Sequence, residues 1–346
     1  MLDVDFTKKL GEFELRVKFS LANEKLAILG ASGCGKSMTL KCIAGIETPD
    51  SGRIVLNDRV LYDSSKKINL PPQKRRVGYL FQNYALFPNM TVAQNIGFAL
   101  EGKTAGTNIV KEFMQKLRLQ GLENKYPAQL SGGQQQRTAL ARMLALDTEM
   151  IMFDEPLSAL DSFLKWELEQ ELLDIFGTFD RPILYVSHDR GEVFRLCDHI
   201  VILDKGKIVS NSTKHELFEN PQTVTGTILT GCKNISPAFC RGNGIAIAED
   251  WGVGFKIPQG IDEEKIRFVA VRAHMMLPGS EYENVFNAQI VNVIEDVFNW
   301  IVVLKLSPQA KKTFRWVVSK KEITRLQAGA NITIGIASEH VIFLES

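Results

Sequence analysis

One octapeptide limits what this chain can fold into more than any other stretch. It reads Gly30-Ala31-Ser32-Gly33-Cys34-Gly35-Lys36-Ser37, two glycines flanking four residues ahead of Lys and Ser. The apolar run Leu26-Ala27-Ile28-Leu29 leads in, and Met38-Thr39-Leu40-Lys41-Cys42-Ile43-Ala44 has helical character, so the glycines fall where a strand turns into a helix N-terminus. Glycine lets backbone N–H groups wrap closely around phosphate oxygens, and the helix end adds partial positive charge. Gly30, Ser32, Gly33, Cys34 and Gly35, with Met38 behind them, are therefore expected to line a nucleotide phosphate site. Lys36 would reach the β- and γ-phosphates, and Ser37 would place its hydroxyl on Mg²⁺.

A chain of 346 residues has room for about two domains. Lys and Arg total 41 against 40 Asp and Glu, which argues against an electrostatic nucleic-acid binder. No stretch approaches the length of apolar sequence that crosses a bilayer, and the N-terminus carries acids where a signal peptide carries bases, so export is not expected. The five cysteines have no paired metal spacing and are expected to be reduced thiols. Cys34 lies inside the phosphate loop, so nucleotide should block an alkylating reagent there.

Other residues with chemical promise recur at the ends of short apolar runs. Phe13-Glu14-Leu15-Arg16-Val17-Lys18-Phe19 alternates as a half-buried strand, and Phe13 is either a core aromatic or a platform for an adenine ring. Lys74-Arg75-Arg76 reads as a solvated basic face. Val77-Gly78-Tyr79-Leu80-Phe81 follows and ends at Gln82, whose amide is placed to touch Mg²⁺ and water. Residues 83–146 turn helical: Thr91 caps one helix, residues 110–119 form another, and residues 102–108 connect them. Ser131, Gly132, Gly133 and Gln134 open a further helix over residues 139–146 and offer a second anion-binding end. Met150-Ile151-Met152-Phe153 ends in Asp154, suited to Mg²⁺, and Glu155, placed to polarise an attacking water. Ser158-Ala159-Leu160-Asp161 precedes a helix over residues 163–176, and Ile183-Leu184-Tyr185-Val186 ends in Ser187-His188-Asp189.

Taken together and in order, these stretches resemble the ATP-binding cassette of ABC transporters over about residues 1–230: phosphate loop, Gln82, the Leu130-Ser131-Gly132-Gly133-Gln134 signature, the carboxylate strand, the loop ending at Asp161 and His188. The resemblance implies an α/β P-loop domain with a helical subdomain near residues 83–146, binding ATP and Mg²⁺. Two copies would pair head to tail, each ATP lying between the phosphate loop of one and the signature of the other, with Asp161 also at that contact. Glu155 would be the catalytic base, with His188 and Gln82 contacting the γ-phosphate and metal. Membrane permease subunits would dock near residues 84–87 at the cytoplasmic face of the membrane, with a substrate-binding protein acting through them. Arg53-Ile54-Val55-Leu56-Asn57-Asp58-Arg59-Val60-Leu61 and Lys74-Arg75-Arg76-Val77-Gly78-Tyr79 resemble most the molybdate/tungstate importer type; sulfate, sugar, polyamine and iron importers are the alternatives. Soluble ABC ATPases are disfavoured. Lys36 and Ser131 lie 131 − 36 = 95 residues apart, too close for a repair-type coiled coil, and a single cassette is present.

Beyond about residue 230, short alternating runs with Gly and Pro turns point to a small all-β domain. It resembles the molbindin-like, OB-like barrel appended to such subunits. Where that pattern has Ser-x-Arg-Asn, this chain has Glu281-Tyr282-Glu283-Asn284, and where it has Lys before Ala-Ser, it has Ile336 before Ala337-Ser338. Both changes remove donors an oxyanion needs, so residues 231–346 are expected to serve as a dimerisation surface rather than an anion sensor.

Overall fold

Strands that are apolar at every position belong at the centre of a sheet covered on both faces. Met150–Asp154 and Ile183–Ser187 are buried throughout. In the computed structural model, which describes residues 1–100, 106–158, 161–323 and 326–345, they lie in an eleven-stranded sheet. Five strands run parallel side by side, in the order His199–Asp204, Lys25–Leu29, Ile183–Ser187, Met150–Asp154, Val77–Leu80. The remainder is largely antiparallel and includes the hairpin of Leu2–Leu10 with Phe13–Leu21. Alternating residues Leu15, Val17, Phe19 and Leu21 are buried on one face of the second hairpin strand, as its period-two pattern predicts.

The helical segment contains Val92–Gly97, Gly106–Lys116 and Gly132–Leu144. Residues 106–108, expected in a connecting loop, are helical; residues 101–105 of that loop lie outside the described residues. The expected helix over 110–119 stops at Lys116 because Arg118 takes a positive φ of 52°. The helix expected to start at 139 begins at Gly132, and the one expected from 163 spans Ser162–Thr178.

The chain divides into units of residues 1–214 and 215–346, earlier than the expected boundary near 230. The cause is local. Arg272 donates to the carbonyls of Phe218 and Thr230, and Val224 packs against Cys232, Ala270, Ile342 and Leu344, so residues 215–230 are stitched to the strands that follow.

The second unit has two five-stranded antiparallel sheets around one core that contains Trp251, Phe255, Phe314 and Trp316, an OB-like arrangement. The expected strands are present, together with Asn234–Cys240, Leu277–Pro278 and Val341–Leu344. Pro237 sits where Asn234–Cys240 changes partner, pairing through residues 234–237 with Phe268–Val271 and through 238–240 with Ile245–Ala248.

Candidate nucleotide site

The parallel strands deliver the site residues from their C-terminal ends, where α/β sheets form ligand crevices. Lys25–Leu29 runs into the glycine loop and then into the helix Lys36–Ala44. Gly30 is required by space: a Cβ there would lie 2.4 Å from the Leu203 carbonyl oxygen and 2.6 Å from Cys34 Sγ. Gly35 is required by conformation as well, with φ 111° at the helix N-cap. Ala31, Ser32 and Gly33 form the exposed lip of the loop. Cys34 is buried, and burial pushes its thiol up despite Lys36 nearby, so it is a packed thiol rather than an accessible one. Met38 packs against the domain core.

The Lys36 ammonium is buried under the loop, donating to the Gly30 carbonyl at 2.8 Å and the Ala31 carbonyl at 3.0 Å, and stands 3.7 Å from Glu155 Oε1. Ser37 Oγ donates to Asp154 Oδ1 at 2.8 Å, and Tyr79 OH donates to Asp154 Oδ2 at 2.9 Å. Burial first, and then the Asp154 charge, push the Tyr79 phenol far up, so it remains a donor to that carboxylate. Hydroxyl and carboxylate oxygens side by side at a helix N-terminus are a hard donor set that fits Mg²⁺ bound through one protein carboxylate and substrate phosphates.

Glu155 leaves the strand in a left-handed conformation, φ 47°, uncommon for a residue with a Cβ, while its N–H still bonds to the Val186 carbonyl at 2.9 Å. That turn aims its carboxylate at His188, whose Nδ1 lies 3.0 Å from Glu155 Oε2. Sequence positions 36, 37, 154, 155 and 188 are thus joined in one network.

Other expected residues lie apart from it. Gln82 is exposed in the turn after Val77–Leu80, and among the described residues no hydrogen bond joins it to Ser37 or Asp154. Phe13 is half-buried against the core, its ring edge 3.5 Å from where a Gly35 Cβ would stand. Asp161 caps the helix Ser162–Thr178 by accepting from the N–H groups of Phe163 and Leu164; Ala159 and Leu160 lie outside the described residues. Ser131 and Gln134 form a reciprocal capping box, so the Ser131 and Gln134 amides already have partners. Gly132 and Gly133 are the first two helical residues, whose amides have no acceptor within the helix. No hydrogen bond or ion pair links residues 131–134 to residues 30–38 among the described residues.

The segment after Gln82 is held firmly. Tyr84 and Ala85 both take positive φ, and Arg142 of the signature helix donates to both of their carbonyls, at 2.9 and 2.8 Å, while standing over the Phe87 ring. Buried Asn95 exchanges hydrogen bonds with the Phe87 N–H and carbonyl and with the Met90 and Thr91 carbonyls.

A family model described as "ABC transporter" matches residues 15–158. The spermidine/putrescine import ATP-binding protein of Acetivibrio thermocellus is 34% identical over 300 residues, 81% of this chain and 82% of that protein. This chain belongs to the ABC transporter family. The molybdenum import ATP-binding protein of Pectobacterium atrosepticum is 42% identical over 219 residues, 63% of this chain; the match spans 62% of that protein's own length. Among solved structures, a dimeric ATP-binding cassette in a post-hydrolysis state bound to ADP and Pi is 27% identical, with a TM-score of 0.53, covering 62% of this chain and 99% of that one.

Within this ABC cassette the basic run at 74–76 is not a uniformly solvated face. Lys74 and Arg76 are exposed, but Arg75 is fully buried, and burial lowers its pKa to about 10. Its guanidinium donates to the carbonyls of Cys42, Ile43 and Leu70 and to Asn69 Oδ1, so it closes the C-terminal end of the phosphate-loop helix. In the second unit, Glu283 Oε2 accepts from the Ser338 N–H at 3.1 Å, Asn284 is buried and bonded to Lys256, Ile336 and Ser338, and Ile336 lies in the core.

Proposed function

We propose that this chain is the ATP-hydrolysing subunit of an ABC importer, working as a pair of copies beneath membrane permease subunits. The observation that carries this reading is the single network of Lys36, Ser37, Asp154, Glu155 and His188 at the ends of three adjacent strands. The loop amides and Lys36 bind the β- and γ-phosphates. Ser37 and Asp154, with Gln82, are the residues that would hold Mg²⁺, which when bound neutralises phosphate charge. Phe13 lies beside Gly35 as a platform for the base. Glu155 takes a proton from water as the water oxygen attacks the γ-phosphorus; the bond to the bridging oxygen breaks, and ADP and phosphate leave. His188 holds the γ-phosphate side of the site and orients Glu155.

The second copy contributes the Gly132 and Gly133 amides with Ser131 and Gln134, and meets Asp161. The clasped segment at residues 84–87 receives the permease, placing the chain at the cytoplasmic membrane face. Among the described residues no helix is long and apolar enough to cross a membrane.

Molybdate or tungstate is the proposed cargo, supported by the identity of the cassette to molybdenum import proteins. A second reading, polyamine import, is favoured by a different observation: the spermidine/putrescine relatives align over 81% and 84% of this chain, into the second unit. Deleting the coding sequence and measuring molybdate and spermidine uptake in limiting medium tests both. Loss of molybdate uptake alone supports the first reading, loss of spermidine uptake alone the second, and loss of neither rejects both.

A further inference from the structure

Behind His188 lies a charged network that the reading above does not use. The Lys165 ammonium, on the helix that Asp161 caps, reaches Asp189 Oδ2 at 2.5 Å and Glu192 Oε1 at 2.6 Å. Glu192 is buried, and its other oxygen accepts from Tyr185 OH at 3.0 Å and Ser187 Oγ at 2.8 Å. Ser187 Oγ in turn accepts from the Asp189 N–H at 2.9 Å, and Asp189 Oδ1 caps the helix Arg190–Leu196 through the N–H groups of Gly191 and Glu192. His188 is therefore flanked by two residues, Ser187 and Asp189, both held by groups that converge on one ammonium. His188 itself is more than half exposed, and the one side-chain hydrogen bond the structure shows for it is to Glu155.

We infer that Lys165 is a positioning residue for ATP hydrolysis, holding the 187–189 turn so that the His188 imidazole meets the Glu155 carboxylate. The inference rests on the ATPase reading and goes beyond it by assigning a residue that touches neither nucleotide nor reacting atoms. The charge states suit the role. Burial works against the Lys165 charge, but the hydrogen bonds from Asp189 and Glu192 prevail and raise its pKa, so the cation persists at neutral pH. Burial works against the Asp189 carboxylate in the same way, and the Lys165 hydrogen bond outweighs it, lowering that pKa. Without the ammonium, two carboxylates would face each other with no cation between them, one of them buried, and breaking a buried pair by removing one partner is far costlier than losing a surface pair. The cheapest relief is rotation of Asp189 toward water, which drags the adjacent His188 off Glu155.

Lys165→Met in the full chain is the test. The kcat for ATP is expected to fall about 10- to 100-fold, the scale of an ångström-sized misplacement of a reacting group. The KM should change less than about twofold, because nothing that binds nucleotide is altered. In a His188→Ala background the same substitution should cost nothing further in single turnover, since residues acting through one another are non-additive. Without nucleotide, the His188 imidazole signal in NMR, assigned by its loss in His188→Ala, should shift in Lys165→Met. A full additional loss in the His188→Ala background, or an unmoved His188 signal, overturns the inference. Should Lys165→Met not fold, Lys165→Met with Glu192→Gln, which removes the cation together with its buried partner, carries the same measurements. If the wild-type chain hydrolyses no ATP, the functional reading fails while the imidazole signal still decides whether Lys165 positions His188.

Discussion

Replacing Arg75 by Met tests how much the phosphate-loop helix depends on a residue far from any phosphate. Met retains most of the aliphatic volume and removes four hydrogen bonds, three of them to the backbone carbonyls of Cys42, Ile43 and Leu70. A buried polar group left without a partner costs about 1–3 kcal/mol. The lower figure applies here, because Arg75 is itself penalised by burial, as its pKa of about 10 records, and the variant is relieved of that cost. Three orphaned carbonyls at about 1 kcal/mol each give a loss of about 3 kcal/mol. For a unit of this size 1 kcal/mol corresponds to about 2–4 °C, so the Tm of the cassette transition should fall by about 6–12 °C in scanning calorimetry. Arg75→Lys keeps the charge but not the fork of donors, and should recover only part of the loss. A fall of less than about 2 °C for Arg75→Met would refute the reasoning, since the carbonyls would then have found water or never needed the guanidinium.

Glu155→Gln keeps the shape of the side chain but cannot accept a proton, and should lower ATP turnover by about 10²- to 10⁴-fold with ATP binding intact in a direct titration. Half the normal rate would show that Glu155 is not the base. Lys36→Ala should instead weaken ATP binding itself, because it removes the ammonium that the loop holds over Glu155. Ser131→Arg, made in a Glu155→Gln background, should abolish the Mg-ATP-dependent dimer in sedimentation while sparing nucleotide binding, and a dimer as stable as the parent's would remove the signature from the contact. Molybdate and tungstate should show no micromolar binding to the second unit in calorimetry of the full chain at low ionic strength, because the Glu283 carboxylate already occupies the Ser338 amide and would repel an anion there. Micromolar binding at that unit would contradict this, and Glu283→Ala would then be expected to tighten it.

The site was legible where one local rule decides it. Gly30, Lys36, Ser37, Asp154 and His188 each follow a short apolar run, and a run that ends a parallel strand places the next residue in the crevice. What escaped depends on where a side chain goes after the backbone is set. Arg75 is one of three consecutive bases, and only the short helix Pro72–Arg75 with left-handed Arg76, φ 55°, turns it inward while its neighbours face water. Lys165 reads as an ordinary charged residue on a helix until Asp189 and Glu192, more than twenty positions later, are folded against it. Asn234–Cys240 was missed because Pro237 argues against a strand, yet the proline sits where the strand changes partner and its missing N–H costs least. The boundary near 230 followed composition, whereas the physical division follows what Arg272 and Val224 hold.

Across the sheet the chemical residues follow the order Gly30, His188, Asp154, Gln82, while along the chain they follow Gly30, Gln82, Asp154, His188. Their separations are set by the spacing of neighbouring strands, about 4.8 Å, and not by the length of chain between them. The polypeptide from Asn83 to Glu149, helices and signature included, therefore hangs from the site like an exchangeable attachment. Lineages that lengthen, shorten or replace it to suit a new membrane partner alter what the motor drives without re-aiming the groups that split the phosphate bond.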